Sequence, residues 1–448
     1  PNSNTHEHAG LLKGILGMAT EQQVMEALRT VMDPDLGRDI VSLGFVKGLA
    51  IQGGHITFTL ELTSPACPMR QRFRDQCEAA VGALDGVELV TVNLTARQEA
   101  RDQETPDSLA KVGSIIAVSS CKGGVGKSTV AAHLARTLQR EGLHVGLLDA
   151  DLYGPSFPTL FNIHKPDVFV LNNLIVPLDV FGMKVMSMGF LLGDAPAVMR
   201  GPMVSNYIKQ ILTQTDWGTL DYLLIDMPPG TGDAQLTITQ SVALQGAVIV
   251  TTPHTLSLVD VAKGILMFER VRVPVLGIVE NMSYFECDQC GKRHHLFGTS
   301  AGTLKDRFGL PTLAELPIIE GISDVTTEDA GKDLAPIQEL AKNLRRAVCE
   351  QRLDQPKRPQ VSFDTEEIRI EWPDGAVTRV ANFKARISCR CASCIDEHTG
   401  ELVLDIAEVP PDVHPESVQH LGNYAVSIAW SDGHTTCIYP WEYLKYLA

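Results

Sequence analysis

The fold of the chain is decided by the stretch Ser120-Cys121-Lys122-Gly123-Gly124-Val125-Gly126-Lys127-Ser128-Thr129. A predicted apolar strand precedes it, and apolar residues at helical spacing follow it. A glycine-rich loop between a strand and a helix lets backbone N–H groups surround phosphate oxygens. Lys127 is expected to contact the β- and γ-phosphates, and Ser128 to ligate Mg²⁺. We therefore expect an ATP site formed by Gly123, Gly124, Val125, Gly126, Lys127, Ser128 and Thr129.

Apolar segments alternate with predicted helices on both sides of this loop. Five of them are nearly continuous in apolar residues: 114–119, 145–149, 222–226, 247–251 and 275–280. Such strands, separated by helices, are typical of a parallel sheet that is buried on both faces. The predicted fold class is α/β, with a central P-loop parallel-sheet domain at residues 108–355.

Smaller domains are predicted on both sides of the central one. Residues 1–107 combine a capped helix with alternating strands, which indicates a small N-terminal α+β domain. Residues 356–448 are predicted to form a mostly β C-terminal domain. Asp-Gly pairs at 374–375 and 432–433 separate alternating segments there, which is a strong hairpin signal.

The composition limits the partners of the chain. It has 448 residues and a formal net charge of −16, from 38 basic and 54 acidic side chains. This balance argues against binding nucleic acid through bulk charge. No apolar run reaches the roughly 18 residues that a membrane-spanning helix needs, so we expect a soluble protein without integral membrane association.

Two acidic segments support nucleotide hydrolysis. Asp149-Ala150-Asp151 ends one predicted strand, where a carboxylate can orient attacking water. Asp226 ends another strand and opens the run Asp226-Met227-Pro228-Pro229-Gly230-Thr231-Gly232-Asp233. This arrangement is expected of a Walker B aspartate that holds Mg²⁺ through water and of a switch loop that moves when the γ-phosphate leaves.

The phosphate loop departs from the strict pattern at Cys121, where glycine is usual, and carries an additional lysine, Lys122. It resembles the deviant P-loop family that contains the nitrogenase iron protein, septum-site and partition ATPases and iron–sulfur cluster carriers. The resemblance implies that Lys122 reaches the partner's nucleotide across a homodimer. It also implies that Asp151 orients the attacking water and that Asn281 reads adenine. The predicted catalytic residues are Lys122, Lys127, Asp151 and Asp226.

A Cys-x-x-Cys pair, Cys287 and Cys290, follows the strand that leads to Asn281. Two thiolates cannot complete a four-coordinate site, but a dimer with the pair on its two-fold axis supplies four, which suits one 4Fe–4S cluster. The motifs CKGGVGKST, DADLYGPS, MRGPMVS and DMPPGTGD resemble the Mrp/ApbC branch of the family, in which this pair bridges a cluster between subunits. The alternative is a Cys₂His₂ zinc knuckle that includes His294 and His295.

The N-terminal domain resembles the small domain of iron–sulfur assembly and targeting factors. Cys67 matches the motif cysteine of that domain and lies at a predicted helix N-terminus, where the pKa of a thiol is lowered. By resemblance it assists cluster transfer or partner docking; the alternative is a thiol that is merely buried. Cys77 lies on the apolar stripe of the helix and is predicted to be part of the core.

The third domain has three thiols close together, Cys389, Cys391 and Cys394, for which His434 is the best fourth ligand. The CxCxxC run and WSDGH resemble the N-terminal zinc domain of γ-butyrobetaine hydroxylase. Three Cys and one His make a closed tetrahedral Zn²⁺ site that contributes folding energy. The alternatives are a second iron–sulfur cluster or a metal-free dithiol, and the weaker fourth-ligand candidates are His294, His398 and His414.

These features together favour an ATP-dependent iron–sulfur cluster carrier that works as a homodimer. It would accept a 4Fe–4S cluster from a donor scaffold and pass it to recipient apoproteins, with slow Mg²⁺-dependent ATP hydrolysis. The domain order resembles chloroplast carriers that act in photosystem I assembly, which implies the plastid stroma; the alternative is the cytoplasm. The competing hypotheses are a zinc-stabilised nucleotide-switch scaffold and a positioning ATPase without a cluster.

Overall fold

The structure is a computed structural model. It describes residues 19–62, 69–96, 106–152, 154–164, 166–192, 201–230, 232–253, 256–298, 308–319, 322, 324–326, 334–353, 359–391, 393–395, 401–421, 425–435 and 437–447. The chain divides into two compact units. The first comprises residues 1–102 and 349–353, and the second comprises residues 103–348 and 354–448.

The first unit contains a three-stranded sheet and two described helices. Its elements, in chain order, are α1 (Glu21–Leu28), β1 (Met32–Asp33), β2 (Arg38–Asp39), β3 (Val46–Gln52), β4 (His55–Leu62), α2 (Arg70–Gly82) and β5 (Leu89–Ala96). In the sheet, β4 lies between its two neighbours, antiparallel to β3 and parallel to β5. The fold of this unit is therefore α+β, as the sequence predicts.

Hydrophobic periodicity determines the core of the first unit. The predicted capping box begins α1, since Gln23 N donates to Thr20 Oγ1 over 3.3 Å and Thr20 N donates to Gln23 Oε1 over 2.9 Å. Alternate residues of β4 are buried and share one cluster with Phe73 and Cys77 of α2. Burial raises the pKa of Cys77 to about 12. Cys77 is thus a core thiol.

The second unit begins with a turn at Asp107–Leu109 and continues as alternating strands and helices. Up to residue 352 its strands are β6 (Val112–Ser119), β7 (Val145–Asp149), β8 (Val170–Leu171), β9 (Leu174–Ile175), β10 (Leu178–Val180), β11 (Met183–Ser187), β12 (Leu220–Asp226), β13 (Gly246–Thr251), β14 (Val275–Glu286), β15 (Arg293–His294) and β16 (Thr312–Pro317). The helices are α3 (Lys127–Arg140), α4 (Phe157–Leu160), α5 (Met188–Leu192), α6 (Gly201–Thr213), α7 (Asp233–Ser241), α8 (Leu256–Arg270) and α9 (Ala335–Arg352).

Nine of these strands form one sheet. Its order is β10, β11, β7, β12, β6, β13 and β14, with β16 on the outer side of β14 and β15 paired to the far end of β14. In this spatial order, every pair of neighbouring strands from β11 to β14 is parallel, and so is the pair of β14 and β16. The strands β10 and β15 are antiparallel to their partners. The predicted α/β class with a parallel P-loop sheet is confirmed.

The position of β6 in the middle of this sheet determines where the site lies. The carboxyl ends of β6, β7 and β12 meet at one edge, because Asp226 is in register with both Val118 and Asp149. Ligands of open α/β sheets bind beyond this edge. The phosphate loop after β6 therefore lies next to the acidic segments after β7 and β12.

The C-terminal part of the second unit is mostly β. It contains β17 (Gln360–Phe363), β18 (Glu367–Glu371), β19 (Val377–Ala381), α10 (Asn382–Ile387), β20 (Pro415–Leu421), β21 (Ala425–Trp430), β22 (Cys437–Pro440) and α11 (Trp441–Leu447). Both predicted hairpins are present, and their turn glycines Gly375 and Gly433 have φ of 85° and 82°. Three buried residues of these strands, Leu421, Ala425 and Ile438, share a core cluster with the P-loop sheet.

Within the described residues, no helix combines the length and the apolar character that crossing a membrane requires.

Candidate functional site

Backbone conformation makes the phosphate loop depend on glycine. Gly124 and Gly126 have φ of 80° and 79°, in the left-handed region that side chains avoid. Gly126 is the N-cap of α3, and a Cβ on it would overlap the Asn281 amide. Cys121, which replaces the usual glycine, packs against Gly264 of α8.

The loop borders a cavity of about 310 Å³, which Asp151, Ser156 and Pro229 also line. The predicted nucleotide residues Lys122, Gly123, Gly124, Val125, Gly126, Lys127, Ser128 and Thr129 all line this cavity. The structure thus brings Lys122, Lys127 and Asp151 to one pocket. Lys122 is exposed, whereas Lys127 is buried at its base.

Lys127 and Asp226 form a buried ion pair beneath the cavity, in which Lys127 Nζ donates to Asp226 Oδ1. Burial raises the pKa of Asp226, and the neighbouring Lys127 and Ser128 oppose that rise. Among the residues that the structure describes, the buried Asp226 Oδ2 finds no hydrogen-bond partner. An unpaired carboxylate oxygen beside a serine hydroxyl suits a hydrated Mg²⁺ ion, which prefers oxygen ligands and keeps several waters.

The two aspartates at the end of β7 differ in burial. Asp149 is fully buried, and its Oδ2 accepts bonds from Ser156 N, Phe157 N and Ser187 Oγ over 2.9 to 3.1 Å. Burial raises its pKa to about 7. Asp151 is only half-buried and lines the phosphate cavity, so Asp151 has the access to water that a catalytic carboxylate needs.

The switch loop after β12 is joined to the phosphate loop by its backbone. Gly230 N donates to Ser120 O over 3.1 Å. Gln235, buried at the start of α7, donates to Pro228 O over 2.6 Å. Thr231 lies outside the described residues. The Gly230–Ser120 bond therefore connects the two loops, and the Gln235–Pro228 bond holds the switch loop against α7.

Asn281 contacts the phosphate loop directly. Its Nδ2 donates to Val125 O over 2.8 Å, and the side chain is buried. Met282, the next residue, has a left-handed φ of 57°, and the register between β14 and β16 shifts there. The predicted adenine-reading role of Asn281 stays a prediction, and its contact with Val125 was not expected from the sequence.

The central cysteine pair lies at the turn of a hairpin that extends from the sheet. The strands β14 and β15 pair through Phe285 with His294, and Cys287 N donates to Lys292 O over 3.0 Å. Cys290 is exposed and Cys287 is half-buried. Backbone N–H groups of Gln289 and Cys290 lower the pKa of Cys287, which favours its thiolate, the form that binds metals.

The histidines of the alternative zinc knuckle do not join this pair. Within the described residues, Cys287, Cys290, His294 and His295 form no cluster with metal-ligand spacing. The Nδ1 atom of His295 lies 3.2 Å from Ser283 O. Cys67 lies outside the described residues, so its predicted role stays a prediction.

The C-terminal cysteines do form such a cluster. His434 Nε2 lies 3.4 Å from Cys389 Sγ, 3.3 Å from Cys391 Sγ and 3.7 Å from Cys394 Sγ. Zinc bonds of about 2.3 Å to sulfur and about 2.0 Å to nitrogen, at tetrahedral angles, hold S and N about 3.5 Å apart. A four-iron cluster spreads its ligands farther apart than one shared ion does. The donor set therefore fits a single tetrahedral ion.

Two residues beside this cluster were not found from the sequence. Arg386 is buried and contacts Asp432, whose carboxylate accepts a bond from His434 N. Asp432 is two residues before His434 in a turn, a spacing that could have indicated the second contact. Arg386 is far from Asp432 in sequence, so their pairing has no sequence signal.

Comparison with known proteins gives three matches along the chain. A family described as NUBPL iron-transfer P-loop NTPase matches residues 111–350. A family described as iron-sulfur cluster assembly protein matches residues 21–94, and one described as gamma-butyrobetaine hydroxylase-like, N-terminal, matches residues 360–445.

Curated relatives match over most of the length. The chain is 43% identical over 448 residues to "Fe-S cluster assembly factor HCF101, chloroplastic" of Oryza sativa subsp. japonica, covering 95% of this chain and 83% of the relative. It is 42% identical over 450 residues to the protein of the same name from Arabidopsis thaliana, with 96% and 83% covered. An "Iron-sulfur cluster carrier protein" of Synechocystis sp. is 48% identical over 316 residues, with 68% and 89% covered. With its phosphate loop, buried Lys127–Asp226 pair and these matches, the chain belongs to the NUBPL-type iron-transfer family of P-loop NTPases.

Proposed function

We propose that the protein is an ATP-dependent carrier of 4Fe–4S clusters. The observation that carries this proposal is the exposed Cys287–Cys290 turn at the end of β14, the strand whose Asn281 contacts the phosphate loop. One strand thus connects a nucleotide site with a pair of accessible thiols. The names of the rice, Arabidopsis and Synechocystis relatives support the same function.

The cargo site requires two copies of the chain. Each copy offers two thiols, and a 4Fe–4S cluster takes four. Exposed apolar side chains close in sequence to the pair, Phe285, Leu296 and Phe297, are 42%, 63% and 50% exposed. A partner copy that covered these side chains would remove apolar surface from water, which supports a homodimer closed around the cluster.

The nucleotide site supplies the residues that hydrolysis needs. Lys127 holds the β- and γ-phosphates once they displace its contact with Asp226, and Asp151 orients the attacking water in the same cavity. Ser128 and Asp226 would hold Mg²⁺, which offsets phosphate charge when bound. Lys122, exposed at the mouth of the cavity, reaches the nucleotide of the partner copy.

The remaining assignments follow from the other domains. Cys389, Cys391, Cys394 and His434 hold a structural Zn²⁺ ion. A donor scaffold supplies the cluster, recipient apoproteins accept it, and Cys67 assists the transfer. The chloroplastic names of two relatives support the plastid stroma.

Anaerobic reconstitution with iron and sulfide tests the cargo site. The expected result is visible thiolate-to-iron absorption that is lost in Cys287→Ala/Cys290→Ala. The matched control, Cys389→Ala/Cys391→Ala, removes a different thiol pair and should retain the absorption. Absorption that survives the first double substitution would mean that the cluster is bound elsewhere.

Mixed dimers test the proposed action of Lys122. Lys122→Ala and Asp151→Asn should each abolish ATP hydrolysis. When the two variants are mixed, one site of each mixed dimer combines an intact Asp151 with an intact Lys122 from the partner copy. Random pairing should therefore restore about a quarter of the wild-type rate. No recovery in verified mixed dimers would show that Lys122 acts within its own copy.

A further inference from the structure

We infer that Arg386 is the positioning residue of the Cys₃His metal site and determines its metal affinity. This inference rests on the zinc site proposed above. Arg386 lies near the end of α10 and is 5% exposed, so its charge is almost fully withdrawn from water. A buried guanidinium needs anionic partners. The partners of Arg386 are either metal ligands or contact metal ligands.

One guanidinium contacts two parts of the site. Arg386 Nε donates to Asp432 Oδ2 over 2.7 Å, and Nη1 donates to Cys394 Sγ over 3.5 Å. Asp432 Oδ1 in turn accepts the backbone N–H of His434 over 3.1 Å. The carbonyl of Arg386 also accepts from Cys389 N over 3.2 Å. Arg386 thereby links the segments that carry Cys389, Cys394 and His434.

The charges of the site explain why an arginine is needed. Three thiolates and a neutral histidine around Zn²⁺ leave one net negative charge in a buried position. Arg386 lies between this negative site and the carboxylate of Asp432, so each anion contacts the same cation. A hydrogen bond from a charged donor also withdraws electron density from the Cys394 sulfur.

Neighbouring groups have other partners. Cys437, the fourth cysteine of this domain, is buried, donates to Ile428 O over 3.0 Å and accepts from Trp430 Nε1 over 3.2 Å. It therefore lies beside the site without completing it. Arg379, on β19 of the same domain, is 60% exposed and pairs with Glu367 over 2.7 Å. Arg379 provides a matched arginine away from the metal ligands.

Competition with a chromophoric zinc indicator tests the inference. The experiment uses the full chain with Cys287→Ala/Cys290→Ala, so that the central thiols take up no zinc. Arg386→Gln should weaken Zn²⁺ binding by about 10- to 100-fold, the usual effect of losing an outer-shell contact. Asp432→Asn should weaken it comparably, Arg386→Lys less, and Arg379→Gln should leave it unchanged.

Cobalt substitution supplies a second readout. In Arg386→Gln the thiolate-to-cobalt charge-transfer band should move to lower energy, because Cys394 loses its charged donor. If Arg386→Gln does not fold, Arg386→Lys and Asp432→Asn decide. If the folded variants keep the affinity and spectrum of the parent chain, the role of Arg386 is overturned, while the proposed zinc site still stands. Failure of the parent chain to bind either metal would instead overturn the proposed zinc site.

Discussion

Asn281 joins two parts of the nucleotide site that are 156 residues apart in the chain. Its amide donates to Val125 O and fills the space above Gly126 that a side chain would otherwise take. Neither contact involves a nucleotide, so the residue has a structural task in the phosphate loop itself. The adenine-reading role predicted from resemblance would be additional to this task.

Asn281→Ala separates these two roles. Removing the hydrogen bond to the loop should weaken ATP and GTP binding equally, by about fivefold, the equivalent of one hydrogen bond of about 1 kcal/mol. Equilibrium titration with fluorescent ATP and GTP analogues measures both. A loss confined to ATP would instead favour base reading, and unchanged binding of both nucleotides would contradict the loop contact.

At the scale of elements, the start of α3 depends on a glycine and on a neighbouring strand. Gly126→Ala places a Cβ in the left-handed region and against the Asn281 amide. We expect at least a tenfold loss of ATP affinity, from backbone strain of about 1–2 kcal/mol together with displacement of Asn281. Calorimetric titration measures this loss.

The control for this substitution lies just beyond the other end of the same helix. Gly142 has a φ of 87°, but a Cβ added to it would meet open space among the described residues. Gly142→Ala therefore adds strain without a clash. It should lower stability by about 1 kcal/mol and leave ATP affinity unchanged. Equal losses of affinity in the two variants would contradict the specific role of Gly126.

The buried face of α3 should make stability depend on pH. His133 is 2% exposed, and its Nε2 lies 2.6 Å from Ile322 O. Burial lowers its pKa, as do Arg136 and Arg140, while the bond to Ile322 opposes them. Below about pH 6.5 the unfolded chain binds a proton that the folded chain does not, so stability falls as the pH drops.

His133→Gln should reduce this dependence, because glutamine can donate to Ile322 O but does not titrate. The measurement is the thermal midpoint from pH 7.5 to 5.5 for both proteins. The wild-type midpoint should fall more steeply, with a contribution of at most about 1.4 kcal/mol per pH unit from this histidine. Parallel curves would show that His133 does not contribute.

The elements that could be predicted from sequence are those with a strong local pattern. The apolar runs of β6, β7, β12 and β13, the capping box at Thr20 and both Asp-Gly hairpins were all expected. The strand β11 was not, because Met183–Ser187 includes a lysine and a serine, and Ser187 is accommodated by its bond to Asp149. The extension of β14 to Glu286 depends on pairing with β15, which no local pattern indicates.

The candidate site divides in the same way. The phosphate loop, Asp226 and the three C-terminal cysteines follow from spacing alone. Spacing alone does not distinguish Asp151 from Asp149. The resemblance favours Asp151, and the structure gives a physical reason, since Asp149 is buried and Asp151 lines the cavity. Contacts such as Asn281 with Val125, or Arg386 with Asp432, join residues that are distant in sequence and become visible only in the fold.

On the scale of the whole molecule, a metal bound at the Cys₃His cluster is expected to stabilise more than its own loop. Strands β20 to β22 contribute Leu421, Ala425 and Ile438 to the core cluster of the P-loop sheet. The His434 turn lies between β21 and β22. The metal is therefore expected to stabilise a surface that the sheet also buries.

Removal of zinc with a chelator should accelerate amide hydrogen exchange in β20 to β22 by at least tenfold, the effect of losing about 1.4 kcal/mol. Exchange in β4, which belongs to the first unit, should stay unchanged. Mass spectrometry of peptic fragments measures both. The chelator should have no further effect on Cys389→Ala/Cys391→Ala, and unchanged exchange in the wild-type strands would contradict a structural metal.

The strand from Val275 to Glu286 has a practical consequence for protein engineers. Five residues separate Asn281 from Cys287, and one of them, Met282, has a left-handed φ of 57°. Because Tyr284 in that interval is buried and pairs with Pro317 of β16, a glycine–serine spacer inserted there would disrupt the sheet. The sheet therefore fixes the spacing between the phosphate loop and the thiol pair, and that spacing cannot be lengthened by insertion without loss of strand pairing.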